Sequence, residues 1–479
     1  MKSGLLFFLC CIIYAIGFSQ PLTEILSNAI SQLQKDEQFK HAIISMYVVE
    51  SKSGTLVYDK NSQLGLAPAS CQKLVISASA FELLGKHFSY KTSIYLDTIH
   101  NDPGRSAKYN GLLIIRGSGD PTLGSWRYPS AKPEIILAKW CKAIRELGLI
   151  ALDGSVLAED ADRPGESNNV PDGYIWQDIG NYYATTASLL NWKENQYDIR
   201  FRSGSPGTNT TIISSDPPLT GLKFNNEVIS GENGSGDNAY IYCAPYSGMA
   251  FIKGTIPPYK TAFTISGSMP DPVAVLDSEF NDALARYNVP LTNGIQHFFS
   301  LSKWKYNADY DRYAIELPGT AHYSPELDSI NYWFLKKSVN LYGESLVKTI
   351  GKQKTNSFST AAGLEQIKKC WKERGIEPSA LHIIDGCGLS PANRVTTSAM
   401  VSIIQFASRQ DWFPSFYEAL PEINGLKMKD GYIGGVRSFT GYVKNKNGRE
   451  YSFSFIVNNF DGSAATVREK MWKVLDILK

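Results

Sequence analysis

Apolar and polar positions fall into distinct regimes along the chain. Residues from Ala42 to Val49 and from Thr55 to Tyr58 are mostly β-branched, aromatic or aliphatic, and Ser51-Lys52-Ser53-Gly54 separates them. That layout predicts a β-hairpin. After Ser70, the positions Leu74, Ala78, Phe81 and Leu84 recur at helical spacing, with Gly85 as a stop. A helix opening at Ser70, with one apolar face, is therefore expected. Near the other end Tyr451, Phe453, Phe455 and Val457 alternate with smaller or polar residues, the period of a half-buried strand. Asn447-Gly448 just before it predicts a type I′ turn to a partner strand over Val436 to Val443. Val467, Met471, Val474, Leu475 and Leu478 then outline an amphipathic closing helix. Strands at both ends and a terminal helix predict one mixed α/β (α+β) domain assembled from the two ends of the chain.

The middle reads differently. It is rich in Gly, Pro, Asn and Ser, with short β-type runs such as Gly111 to Arg116 and turn material at Arg202 to Thr210 and Gly231 to Asp237. We expect a mostly β inserted region over residues 91–290, in two subdomains, interrupting a domain formed by 20–90 and 291–479. A length of 479 residues with 43% hydrophobic content supports several cores. The formal net charge of +2 and the lack of like-charge blocks argue against a nucleic-acid partner.

At the start, Lys2 precedes an uncharged, mainly apolar run from Gly4 to Phe18, and Gly17 and Ser19 are small residues ahead of Gln20. This predicts a signal peptide over residues 1–19 and an exported protein, periplasmic in a Gram-negative host. Cys10 and Cys11 lack the small preceding residue of a lipoprotein site. No other run is long enough to cross a bilayer, so membrane contact is expected to be peripheral at most. Of seven cysteines, Cys71, Cys141, Cys243, Cys370 and Cys387 lie beyond that segment, with no CxxC pair, and the six histidines show no ligand spacing. Neither a disulfide framework nor a metal or other cofactor is predicted.

Three short motifs carry chemistry. In Ser70-Cys71-Gln72-Lys73, a lysine at i+3 on a helix shares a face with the hydroxyl and is placed to act as its base. Such a pattern arises by chance about once or twice in a chain of this size, and Ser302-Lys303-Trp304-Lys305 is a second match. Ser338-Val339-Asn340 opens a helical pattern through Leu341, Glu344, Val347 and Ile350. Read alone, it is a helix cap; read with the first motif, it turns a hydroxyl and an amide into one cleft. Lys429-Asp430-Gly431 stands just before a hairpin, where a sheet edge can align an extended peptide.

Ser-x-x-Lys, Ser-x-Asn and a Lys-x-Gly triplet in this order are the signature of β-lactamases and penicillin-binding proteins. The chain resembles the D-alanyl-D-alanine carboxypeptidase/endopeptidases of the penicillin-binding protein 4 type, of low-molecular-mass class C. Further landmarks are Pro68-Ala69-Ser70, the run from Arg116 to Thr122, Trp176-Gln177-Asp178, the run from Asn340 to Glu344, and Asp385-Gly386-Cys387-Gly388-Leu389-Ser390. The resemblance implies a penicillin-recognising, β-lactamase/transpeptidase-like domain with a central antiparallel sheet between helices. It implies Ser70 as nucleophile, Lys73 as base, Ser338, Asn340 and Lys429 completing the cleft, and backbone N–H groups of Ser70 and Tyr432 as oxyanion hole. Asp430 and Gly431 would face the substrate, and Asp178 and Tyr183 would contact an amine and its methylene chain in the peptide stem. Peptidoglycan stem peptides are the implied substrates and β-lactams the covalent inhibitors.

Two departures matter. Position 430 is Asp where the family has Thr or Ser, so a donor is replaced by an acceptor of the wrong sign for a carboxylate. Two like charges near 4 Å cost about 4 kcal/mol at an effective dielectric of 20. A protonated Asp430, an amine partner from a cross-link and a loss of catalysis are three competing explanations. Cys71 and Cys387 also replace the usual Thr and Ser; two buried thiols is the simple reading and a redox link between them the alternative. The rival functions are a non-catalytic peptidoglycan-binding protein on the same fold and a β-lactamase.

Overall fold

The computed structural model describes residues 21–97, 108–109, 112–148, 151–152, 155–159, 170–289 and 314–479. The expected signal peptide and the second Ser-x-x-Lys match at Ser302 lie outside the described residues.

A six-stranded sheet joins the two ends of the chain. Its strands run in the spatial order Glu422–Ile423, Leu426–Ile433, Val436–Lys444, Glu450–Asn458, Ile43–Glu50 and Leu56–Lys60, every neighbour antiparallel. The seam is the pairing of Ile43–Glu50 with Glu450–Asn458, from Ile43 opposite Asn458 to Glu50 opposite Tyr451. Both expected hairpins are present. The second has a five-residue loop, 445–449, in place of the type I′ turn: only Gly448 of the Asn-Gly pair has positive φ (80°). The side chain of Asn445 closes that loop instead, accepting from the N–H groups of Asn447 and Arg449, each at 2.9 Å.

The strand over Tyr451 to Val457 is buried on both faces, where alternation predicted one. Phe453, Phe455 and Val457 pack with Leu26 and Ile30 of the helix Leu22–Gln34 and with Val467 and Met471 of the helix Ala464–Leu475. Its other face meets the helix Thr397–Ala407, where small side chains let the layers approach. Ser454 there spends its hydroxyl on Thr440, at 2.8 Å. Likewise, Ser70 does not open an α-helix. It sits in a 3-10 turn, Ala69–Gln72, and the helix Lys73–Leu84 follows, buried all round from Lys73 to Phe81. That helix is a central pillar, packed against the helices Leu327–Lys336 and Asn340–Thr355.

Two three-stranded sheets do occupy the middle region, one of Gln196–Arg202, Thr211–Asp216 and Phe263–Ser268, the other of Lys223–Ser230, Tyr240–Tyr242 and Met249–Ile256. The region also holds two long helices, and one of its strands pairs with strands from beyond residue 290. The helices Pro133–Glu146 and Pro272–Arg286 meet through Trp140 and Phe280, ring centroids 5.7 Å apart. Each begins with the proline that reads as a breaker, since a first-turn position needs no N–H. In addition, the strands Ala314–Glu316 and His322–Tyr323, beyond residue 290, pair with Lys91–Asp97.

Two backbones cross closely where the site is assembled. A Cβ on Gly343 would lie 2.4 Å from the carbonyl oxygen of Gly386, and one on Gly386 would lie 2.4 Å from that of Gly343. Gly343→Ala is therefore expected to destabilise the protein by about 1–3 kcal/mol, the usual penalty of overpacking. Thermal unfolding followed by near-UV circular dichroism checks this, and an unchanged midpoint would mean the two segments have room to part.

Candidate active site

Three chain segments converge on the amine of Lys73. This side chain has no solvent exposure, and its Nζ lies 2.9 Å from Ser70 Oγ, 2.6 Å from Asn340 Oδ1 and 2.9 Å from the carbonyl oxygen of Cys387. The 3-10 turn brings Ser70, the start of the helix Asn340–Thr355 brings Asn340, and the loop 383–393 brings Cys387. Burial pushes the Lys73 pKa down to about 8; Lys429 adds to the fall, while Cys387, Asp385 and Glu344 oppose it. A neutral amine has two N–H donors and one lone pair. The amide oxygen of Asn340 and the Cys387 carbonyl are pure acceptors and claim the two donors, so the lone pair is left to face the Ser70 hydroxyl. That is the arrangement of a general base beside its nucleophile.

The helix-cap reading of Ser338 fails here. Val339 holds the N-cap position without a side-chain bond, and Ser338 has a left-handed φ of 57°. Ser338 and Asn340 instead line a cleft of ≈ 800 Å³ together with Ser70, Asp178, Tyr183 and Tyr432. Asn340 Nδ2 also donates to the carbonyl of Tyr183, tying that segment to the helix Asn340–Thr355. Tyr183 donates its hydroxyl to Asp178 Oδ1 at 2.9 Å, and partial burial raises the Asp178 pKa.

Lys429, Asp430 and Gly431 lie on the strand that sends Tyr432 and Ile433 into the cleft wall. Gly431 is needed for the approach: a Cβ there would sit 2.7 Å from the Pro68 carbonyl and 2.9 Å from the Ser70 nitrogen. Lys429 Nζ donates to the backbone oxygen of Asp430 at 2.8 Å and to its Oδ1 at 3.2 Å. Burial alone would raise the Asp430 pKa, but Lys429 and then Arg437 hold it below the ordinary carboxylate value. The protonated form of Asp430 is thereby disfavoured. Cys71 and Cys387 are both free and buried. The Cys71 thiol donates to the Lys429 carbonyl at 3.2 Å and burial pushes its pKa up to about 11, whereas Cys387 Sγ lies 3.1 Å from the Tyr174 hydroxyl. Each thiol thus has its own partner, and the structure holds no link between them.

Sequence reasoning missed what holds the Cys387 loop. Asp385 Oδ1 accepts from Gln72 Nε2 (3.0 Å), Cys387 N (3.1 Å) and Gly388 N (2.6 Å), and Oδ2 accepts from Ser390 N (2.7 Å) and Asn393 Nδ2 (2.9 Å). Glu344 accepts from Gly386 N and from the Tyr174 hydroxyl, and burial, with Asp385 nearby, pushes its pKa up to about 7. Glu344, Asp385 and Cys387 offer atoms within 4.8 Å of one another, the spacing of metal ligands. Their oxygens are already claimed by N–H and O–H donors, so the group fits a loop anchor better than an ion. The run Asp-Gly-Cys-Gly-Leu-Ser was the visible signal, since two glycines beside an Asp mark a tight turn whose backbone N–H groups need an acceptor.

A sequence profile of the D-Ala-D-Ala carboxypeptidase 3 (S13) family matches residues 26–477. The chain belongs to that family. Membership brings serine-type D-Ala-D-Ala carboxypeptidase chemistry with it. Among relatives of the S13 chain, the D-alanyl-D-alanine carboxypeptidase of Actinomadura sp. (strain R39) is 24% identical over 472 residues, covering 92% of this chain and 82% of that one. The D-alanyl-D-alanine carboxypeptidase DacB of Haemophilus influenzae is 19% identical, covering 85% and 83%. The backbone is similar to the crystal structure of penicillin binding protein 4 (dacB) from H. influenzae, with a TM-score of 0.70 at 17% identity over 91% of this chain and 94% of that one. The mixed fold, an antiparallel sheet between helices, accords with that likeness.

The depressed Lys73 pKa sets a pH dependence with a definite sign. Free lysine loses its proton near 10.5, whereas Lys73 does so near 8. Reactivity of Ser70 toward an acylating probe should therefore climb about tenfold per pH unit below that value and level off above it. Between the two pKa values the unfolded chain binds the extra proton, so this group's contribution to stability rises with pH across the same window. Stopped-flow acylation from pH 6 to 10 checks the first statement; a profile flat across that range would show Lys73 is not the base.

Proposed function

We propose that this chain hydrolyses D-alanyl peptide bonds of peptidoglycan stem peptides through an ester formed on Ser70. The observation that carries the reading is the unexposed Lys73 amine, 2.9 Å from Ser70 Oγ with its other directions occupied. Lys73 takes the hydroxyl proton as Oγ bonds to the carbonyl carbon. The carbon–nitrogen bond then breaks, and the leaving amine receives a proton through Lys73 and Ser338. Water adds to the ester in the second half, giving a new carboxylate and restoring the Ser70 hydroxyl, so one water is consumed overall. Backbone N–H groups of Ser70 and Tyr432 take the developing oxyanion; the closeness of Gly431 to the Ser70 nitrogen supports that pairing. Asn340 holds the substrate backbone, and Asp178 with Tyr183 receives an amine of the stem. Both line the cleft that Ser70 opens into.

β-Lactams are covalent inhibitors in this reading, because their ring amide acylates the same hydroxyl and tethers its own leaving group. Export to the periplasm follows from the Lys2 to Ser19 pattern and suits a cell-wall substrate. Among the described residues no helix is long and apolar enough to cross a membrane. The assembled Ser70–Lys73–Asn340 constellation weighs against a non-catalytic scaffold.

Labelling with a fluorescent penicillin is the direct test. The wild-type chain is expected to carry one adduct, located at Ser70 by peptide mapping; Ser70→Ala should carry none, and Lys73→Ala should acylate about a hundredfold or more slowly. Labelling that survives in Ser70→Ala would remove the reading.

A further inference from the structure

The Lys429–Gly431 segment lies beside the nucleophile on an open sheet edge. On its outer side the short strand Glu422–Ile423 reaches only Lys427 and Leu426. Met428 N still donates to the Pro421 carbonyl, but from Lys429 onward that edge has no strand partner among the described residues, and Gly431 brings it against the Ser70 nitrogen. The charges on it are arranged asymmetrically. Lys429 is 2% exposed in its side chain, whereas Asp430 is 37% exposed and caps the buried ammonium. A second cation, Arg437, lies on the same sheet face as Asp430, 8% exposed, with its guanidinium 5.3 Å from the Tyr432 ring and 5.8 Å from the Phe439 ring. A group approaching along the edge therefore meets a carboxylate paired with Lys429, with Arg437 on the same sheet face.

We propose that Asp430 is a resident anion occupying the anion slot at Lys429, so that the enzyme selects substrates whose leaving group carries no free carboxylate next to the released nitrogen. The inference rests on the peptidase reading above and adds the substrate class. An incoming carboxylate bonded to Lys429 would share that ammonium with the Asp430 carboxylate, and like charges at contact repel in a partly dry site. A carboxamide or a side-chain amine in the same place brings no such charge, and its N–H groups have an exposed acceptor in Asp430. The lowered Asp430 pKa keeps that carboxylate ionised at neutral pH; Arg468 acts electrostatically on Arg437, and Lys337 is the cation among the cleft-lining residues. The chemical step is unchanged: the carbon–nitrogen bond breaks, the amine departs with the relayed proton, and water releases the acyl group.

Two synthetic stem peptides that differ only in a terminal D-alanine free acid or D-alanine carboxamide test this on the full-length mature protein. Wild type is expected to cleave the carboxamide with kcat/KM at least about tenfold higher than the acid. Asp430→Thr should reverse the order, and the nearly isosteric Asp430→Asn should abolish the preference if threonine perturbs the strand. A wild-type preference for the free acid, or a ratio the same in all three proteins, overturns the inference and leaves the peptidase reading standing. Turnover of neither peptide, with no acyl adduct on Ser70, overturns both.

Discussion

A lysine side chain without solvent contact needs an acceptor for every N–H it keeps, and this requirement organises the site around Lys73. Its amine can be satisfied only if the 3-10 turn at Ser70, the start of the helix at Asn340 and the carbonyl of Cys387 meet at one point. Asn340 and Cys387 stand 267 and 314 positions from Lys73 in sequence. Burial supplies both the structural demand and the chemistry, since the same desolvation that requires three neighbours lowers the proton affinity enough for the amine to act as a base.

The Cys387 carbonyl can serve only if its loop is rigid, and Asp385 supplies that rigidity. Its carboxylate gathers N–H donors from Gln72, Cys387, Gly388, Ser390 and Asn393, so the loop is pinned to the residue next to Lys73. Hydrogen bonds to a buried carboxylate are charge-assisted and costly to leave unmade. Glu344, one turn along from Asn340, takes the Gly386 N–H and Tyr174 hydroxyl, which couples the loop to the helix Asn340–Thr355 and to Tyr174. The glycine crossings belong to the same design. Gly388, like Gly343 and Gly386, approaches a neighbouring backbone more closely than a Cβ permits, here the Ala69 carbonyl next to Ser70.

What was legible in the sequence was local. Both terminal hairpins and the closing helix follow from alternation and periodicity over a few residues, and the three motifs announce themselves at fixed spacing. The strand over Tyr451 to Val457 misleads because its serines read as solvent-facing, although they pack under a helix with their hydroxyls satisfied by Thr440 and Ser51. The helices led by Pro133 and Pro272 were hidden because proline reads as punctuation, although each carries apolar residues four apart, at Ile136, Trp140 and Ile144 and at Leu276, Phe280 and Leu284. Asp385 was visible as part of a landmark but not as a hub, because its Gln72 partner is 313 residues away. Asp430 was recognised as a departure from the family pattern, but its consequence depends on which way Lys429 turns, and no sequence pattern encodes that.

Asp430 is also coupled to the base. Lys429 is one of the charges that depress the Lys73 pKa, so whatever neutralises Lys429 relieves that pressure in part. With Asp430 bonded to its ammonium, Lys429 presents a dipole rather than a bare charge to the interior. A substrate carboxylate bound to Lys429 would relieve the same repulsion, but only while substrate is present. A resident carboxylate is present whether or not substrate is bound, so its effect on the pair does not depend on occupancy. The selectivity proposed for Asp430 and its bearing on Lys73 are thereby linked, because both act through one buried ammonium.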